Sequence, residues 1–204
     1  TRRSSDLLWF MNDTYYAYSG GRNPQLMKSE DLENWTYLGD LLHPDYPQDI
    51  GVPKDEDISC GNMFQIGDKW MLLCISHALG ARYYLGDFKN EKYLPETHHM
   101  MSFGSNSFFA PESLLTQDGR RVMWAWLMSG QPDDSFLKNL PIHPTGVQSL
   151  PRELELPDDG VLRIRPLQEL ASLRYDPISR ESFTVSEGNE VFLEEVTGDA
   201  IELE

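Results

Sequence analysis

Apolar positions along this chain fall in short runs rich in aromatic and β-branched residues, each broken after about ten residues by Asn, Asp, Gly or Pro. Residues 7–11, the pair Asn12-Asp13 and residues 14–18 form one such unit. Residues 63–66, Gly67-Asp68 and residues 69–75 form a second, and residues 113–115, Asp118-Gly119 and residues 120–127 a third. Two apolar runs joined by a tight polar turn predict an antiparallel hairpin, because Asn, Asp and Gly tolerate the positive φ that such turns require. Residues 29–35 have the length of one helical turn, but they lie between Pro24 and a strand-like stretch from Thr36 and predict a short irregular connection. No long helix is predicted. Repeated hairpins without intervening helices imply an all-β fold, either a propeller of small antiparallel sheets or a sandwich. Periodicity alone leaves both open.

Towards the end, Leu150-Pro151-Arg152-Glu153 leads through Asp158-Asp159-Gly160 to a predicted strand at 161–164. From about Tyr175 the chain turns acidic and alternating, with Phe183 and Val185, then Val191, Leu193 and Val196, and finally Ile201 and Leu203. That pattern predicts the first strands of a separate β-module. The chain opens at Thr1 with neither an initiator Met nor a leader and stops inside the last strand, so it is read as a fragment.

Composition narrows the function classes. Lys and Arg total 17 against 33 Asp and Glu, a net charge of −16, which disfavours a nucleic-acid partner because phosphate neutralisation needs clustered cations. No run of about 18 apolar residues predicts a membrane-spanning helix, and no membrane partner is predicted. Cys60 and Cys74 lie inside strand-like runs and suit small buried thiols rather than a disulfide framework. His77 and the pair His98-His99 lack metal-ligand spacing, so no metal and no cofactor is predicted. Phosphate-binding glycine loops and a nucleophile elbow are absent from the sequence.

Six segments carry a resemblance. These are the stretch Lys28-Ser29-Glu30-Asp31-Leu32-Glu33-Asn34-Trp35, then Gly67-Asp68-Lys69-Trp70-Met71-Leu72-Leu73, then Arg82-Tyr83-Tyr84-Leu85-Gly86-Asp87-Phe88. After them come Ser107-Phe108-Phe109-Ala110-Pro111-Glu112, then Met123-Trp124-Ala125-Trp126-Leu127, and the stretch from Gly146 to Arg152. In order and spacing they resemble S-K-D-L-x-x-W, G-D-K-W-x-L-L, Y-x-x-G-x-F, D-F-Y-A-P-Q, I-L-W-G-W-L and G-V-L-S-L-P-R of glycoside hydrolase family 32, the invertase, levanase and inulinase family. The resemblance implies a five-bladed β-propeller, partial here with the first blade missing, followed by the start of a β-sandwich. It sets the propeller at residues 1–174, as the second to fifth blades, and the sandwich at residues 175–204.

The implied chemistry is retaining hydrolysis of a fructosyl bond in sucrose, inulin or levan, which needs two carboxylates about 5–5.5 Å apart. The family's nucleophile lies in W-M-N-D-P-N-G of the absent blade; Trp9-Phe10-Met11-Asn12-Asp13 looks similar, but Asp13 falls where a hairpin turn is expected. The family's R-D-P position falls on Ser4-Ser5-Asp6, and a one-residue slip makes Asp6 the third acid. Ser59 stands where the family's acid/base glutamate lies, and a serine hydroxyl titrates far too high for that role. Asp57, two residues earlier and on the same side of a strand, is the substitute acid/base. Glu56 is the second choice, reached through a bulge, and a solvated acidic loop at Asp55-Glu56-Asp57 is the competing reading. Ser59, Asn62, Ser107, Phe108 and Trp126 are candidates for sugar binding, with packing the alternative for Trp124 and Trp126; Pro144 replaces a family Trp. The expected partner is a fructose-containing saccharide. A noncatalytic carbohydrate-binding propeller and an inactive truncated remnant are the other readings.

Overall fold

The computed structural model describes residues 8–101, 108–128, 147–179, 182–194, 196–198 and 201. Strands β1 (Leu8–Met11), β2 (Thr14–Ser19), β3 (Gln25–Ser29) and β4 (Thr36–Asp40) pair in chain order as an antiparallel meander. Strands β5 (Ser59–Ile66), β6 (Lys69–Ser76), β7 (Gly80–Lys89) and β8 (Lys92–Met100) repeat the arrangement. In a third sheet β9 (Phe108–Leu115) pairs with β10 (Arg121–Leu127). The other edge of β10 takes β11 (Val147–Gln148) near one end and β12 (Arg152–Glu155) near the other, and β13 (Arg163–Pro166) follows β12. Ser149 bridges the gap between β11 and β12: its N–H donates to Ala125 O at 2.8 Å and its Oγ accepts from Ala125 N at 3.0 Å. The two short strands therefore act as one, broken where Pro151 has no N–H to give, and the sheet is four strands wide.

The turns form as their residues dictate. Asn12 and Asp13 (φ 51° and 58°) close β1 onto β2, with Met11 opposite Thr14, so Asp13 is a turn residue. Gly67 (φ 57°) closes β5 onto β6. Residues 29–35 are irregular, as expected. Asp31 accepts from Asn34 N (2.7 Å), Asn34 Nδ2 (2.8 Å) and Glu33 N (2.9 Å), which hold its carboxyl below the usual carboxylate range, while Ser29 Oγ accepts from Leu32 N (2.9 Å). The strand expected at 161–164 begins at Arg163 instead. Asp159 Oδ1 captures Val161 N at 3.0 Å and extends the preceding turn.

The second sheet is buried on both faces. Leu72, Cys74, Tyr84 and Phe88 join Trp9, Tyr16, Tyr18 and Leu26 of the first sheet in one core. Met71, Leu73, Ile75, Tyr83 and Leu85 join Phe108, Met123, Ala125 and Leu154 of the third sheet in another. Alternation along β6 thus feeds two cores in turn, which is why residues 69–75 read as an almost unbroken apolar run. Backbone bonds tie the first sheet to the second: Gly21 N to Ile58 O (2.7 Å), Ile58 N to Gly21 O (3.0 Å), and Tyr93 N to Leu41 O (2.8 Å). Strand β1 lies against β5, and β9 against β5, β6 and β7. The first strands of consecutive sheets are therefore neighbours. Both cysteines are free; Cys74 is fully buried, which pushes its thiol up to about 12.

This compact unit ends at Leu167, and a second begins at Gln168 with a 3-10 helix (Gln168–Leu173). Among the described residues from 175 onward there is no strand, and Phe183, Val185, Val191, Phe192 and Ile201 are exposed. The strands expected there are not formed among these residues. A strand is stable only when its backbone groups and apolar face find partners. No described helix is long and apolar enough to cross a membrane.

Candidate active site

The site is set by an irregularity in β5. Ile66 pairs with Lys69 and the register continues to Asn62 opposite Leu73, but Ser59 is opposite Ile75, so Cys60 and Gly61 together face Cys74. This is a β-bulge, with Cys60 in left-handed backbone at φ 47°. Gly61 is required there, since a Cβ on it would lie 1.3 Å from Tyr18 Oη. The regular register would run on to residue 57 opposite 78; the bulge shifts it so that Asp57 faces His77.

Asp57 and Ser59 share a side, as strand alternation predicts, and Ser59 Oγ donates to Asp57 Oδ1 at 2.7 Å. Asp57 Oδ2 accepts from His77 N at 3.2 Å and meets His77 Nδ1 at 2.5 Å. Burial alone would raise the Asp57 pKa, but these donors outweigh it and hold the carboxyl below its ordinary value. An ionised carboxylate only accepts, so His77 Nδ1 carries the hydrogen between them. The Asp57 side chain is 21% exposed and the His77 ring 73%. Glu56 is turned away: its Oε1 accepts from Ser76 Oγ at 2.5 Å and from Asp57 N at 3.1 Å. The bulge that was to bring Glu56 inward lies beyond Ser59 instead. A solvated acidic loop describes Asp55, which is exposed, and not its two neighbours.

A buried cation supports the backbone here. Arg82, fully buried on β7, donates from Nη2 to Asp57 O, from Nη1 to Tyr84 Oη at 2.7 Å, and approaches His98 Nε2 at 3.4 Å. Burial and the Arg82 charge lower the His98 pKa to about 4, so at neutral pH its ring is uncharged and can accept.

From His77 the site continues onto the third sheet. The His77 ring meets Phe109 edge-on at 6.0 Å between centroids, and Phe109 meets Trp126 at 6.3 Å. Trp126, directly across from Phe109, is 44% exposed. A carboxylate, an imidazole and two rings thus form one row, a combination suited to a sugar with its apolar faces and hydroxyls. The row uses Phe109 and not Phe108. Phe108 points the other way, buried in the second core under the Arg152 guanidinium, 4.6 Å from its centroid. Asn62 is also buried, and its Oδ1 is occupied by Ser113, which donates from N at 3.1 Å and from Oγ. Asp6, Ser107 and Pro144 lie outside the described residues. His77, which metal spacing could not single out, was legible from hairpin register once a bulge was allowed. Among the described residues no group of three or more His, Cys, Asp or Glu could hold a metal ion.

The profile of the glycosyl hydrolases family 32 N-terminal domain matches residues 3–166. Sucrose-6-phosphate hydrolase of Salmonella typhimurium is 25% identical over 197 residues, covering 82% of this chain and 39% of the relative. The enzyme of that name from Vibrio alginolyticus is 27% identical over 220 residues, covering 97% and 43%. Among solved structures, sucrose-6-phosphate hydrolase from Lactobacillus gasseri superposes with a TM-score of 0.61 at 20% identity, covering 83% of this chain and 37% of that one. A glycoside hydrolase family 32 structure from Bifidobacterium adolescentis gives 0.57 at 16% identity, covering 80% and 34%. These likenesses show an all-β fold of the propeller type. The chain spans about two fifths of the length of the curated relatives it matches.

Proposed function

The chain belongs to glycoside hydrolase family 32, and on that premise we propose that it forms part of a β-fructosidase that cleaves fructosyl bonds of sucrose-like substrates with retention. The observation that carries this reading is the Asp57 carboxylate just before β5, aligned through His77 with the half-buried ring of Phe109 and the exposed ring of Trp126. Asp57 is the proton-transfer group and Ser59 orients it; Phe109 and Trp126 support the sugar. Glu56 is the second choice for that role, Asp6 is the third acid and Ser107 a further sugar contact, whereas Asn62 and Phe108 border the site rather than read the sugar directly. The nucleophile comes from sequence outside these 204 residues. The three sheets of the described residues are three consecutive blades of a five-bladed propeller. The propeller extends to about residue 174, and the exposed apolar residues from 175 onward belong to a sandwich whose other strands would cover them.

One observation favours a second reading, a noncatalytic carbohydrate-binding propeller. Asp57 accepts three hydrogen bonds and is held ionised, which suits binding better than donating a proton. Fructose release from sucrose, sucrose 6-phosphate, inulin and levan by the full-length protein separates the two. Hydrolysis with Asp57→Asn about 100-fold slower and binding intact supports the enzyme. An unchanged rate in that variant removes Asp57 from the reaction, and saturable binding without release supports the second reading.

A further inference from the structure

Resting on the reading above, we propose that His77 is the positioning residue of the proton-transfer group: its imidazole and the Asp57 carboxylate hold one exchangeable proton between them and together replace the missing glutamic acid. A carboxylate at this place is solvated by donors on both oxygens, and an aspartate so held has released its proton at neutral pH. The His77 ring supplies that proton through the 2.5 Å contact between Nδ1 and Oδ2. Backbone N–H and ring Nδ1 of the same residue grip the same oxygen, which fixes the carboxylate in one orientation. The ring is largely exposed and lies edge-on to Phe109, on the side where the aromatic row begins. The bulge at Cys60 and Gly61 pairs Ser59 with Ile75, and just past that pair Asp57 and His77 meet through the two hydrogen bonds above.

In the step assigned to the pair, the bond between the anomeric carbon and the leaving-group oxygen breaks and its electrons go to that oxygen. With the His77 ring protonated on both nitrogens, the proton it shares with Asp57 passes to the same oxygen and leaves a neutral imidazole, while a carboxylate from outside this chain bonds to the anomeric carbon. In the second half, water attacks that carbon, the carboxylate leaves with its electrons, and the proton lost by water returns to the pair. Among the described residues the titratable or charged groups near the pair include Glu56 on the same loop, Cys60 on β5, Cys74 on β6, Arg82 and Tyr84 on β7, His98 on β8 and Tyr46 before β5.

The test compares the full-length wild type with His77→Gln, His77→Asn and Asp57→Asn on sucrose and on an aryl β-fructofuranoside, whose leaving group needs little protonation. Removing the imidazole leaves the Asp57 carboxylate alone to hold the proton. Both His77 variants should therefore lose at least tenfold in kcat on sucrose at pH 7, with KM little changed. The alkaline limb of their pH profile should move at least one unit towards acid, and the loss should be smaller on the aryl substrate. An active wild type whose limb and kcat survive both substitutions overturns the role of His77 alone. A wild type that hydrolyses neither substrate overturns the proposed function first, and this role with it. Thermal unfolding at the wild-type temperature, expected because the ring is exposed, shows that the loss is not one of folding.

Discussion

The second and third sheets carry the same backbone device and use it differently. In the second, Cys60 and Gly61 oppose Cys74 between the pairs formed by Ser59 and Asn62; in the third, Ala110 and Pro111 oppose Ala125 between the pairs formed by Phe109 and Glu112. The first bulge residue is left-handed in both, with φ 47° at Cys60 and 45° at Ala110. One bulge introduces a polar cluster of Asp57, Ser59 and His77, and the other presents the aromatic pair Phe109 and Trp126. Equal kinks at equal positions in neighbouring first strands aim both groups at one place. Position in the sheet decides where a side chain goes, and residue type decides what it does there.

The largest effect that would break this equivalence is at the second bulge residue. A Cβ on Gly61 would overlap the hydroxyl of fully buried Tyr18, whereas the same position in the third sheet already carries the ring of Pro111. Gly61→Ala should cost about 3 kcal/mol, as overpacking does in a filled core. Pro111→Ala should cost only about 1 kcal/mol. Denaturant unfolding of the two variants checks this; equal losses would mean that the bulges are not distinguished by their packing.

The polar support of the second sheet predicts acid sensitivity that the aromatic third sheet does not share. His98 has an ordinary pKa near 6.5 and is lowered to about 4 by burial and the Arg82 charge. Below pH 6.5 the unfolded chain therefore takes up this proton before the folded one, and stability falls until about pH 4, where the folded ring also charges. The loss across that window should be about 2 kcal/mol. His98→Gln, measured against wild type at pH 7 and pH 4, should flatten it. A parallel pH dependence in the variant would assign the acid sensitivity elsewhere.

The hairpins were legible because turn residues such as Asn12-Asp13 and Gly67-Asp68 are a local signal. The resemblance pointed to residues 57–64, the stretch in which β5 begins. Phe108 was expected beside Trp126, but the bulge inserts a residue and puts Phe109 there, and its left-handed backbone leaves no mark when the residue is Ala or Cys instead of Gly. Asn62 suggested sugar binding because it stands where the family motif carries its second acid; its partner Ser113 lies 51 positions away and becomes visible only when two sheets pack. The late strands from about Tyr175 were read from alternation, which says which face would be buried but not whether anything is present to bury it.

That Asn62 contact joins the two bulged strands and offers a finer test of how tightly they are coupled. Asn62→Ala and Ser113→Ala each remove a buried hydrogen-bonding partner, and the double variant should recover about 1 kcal/mol relative to the sum of the two losses. Additive losses would show that the bulges are held in place separately.

The smallest expected effect is at the first bulge residue, where the two sheets are most alike. A left-handed non-glycine residue costs about 1–2 kcal/mol, and glycine removes that cost while adding roughly 0.5–1 kcal/mol of chain entropy to the unfolded state. Ala110→Gly gives up only a methyl group, so it should stabilise the protein by a few tenths of a kcal/mol to about 1 kcal/mol. Cys60→Gly gives up a half-buried thiol as well, and the lost packing should bring its net change close to zero. A gain at Ala110 with none at Cys60, read from unfolding midpoints, would show that both sheets bear the same backbone strain and that in the second the side chain offsets it. A loss at Ala110 would mean that its methyl group, rather than its backbone, sets the stability of that bulge.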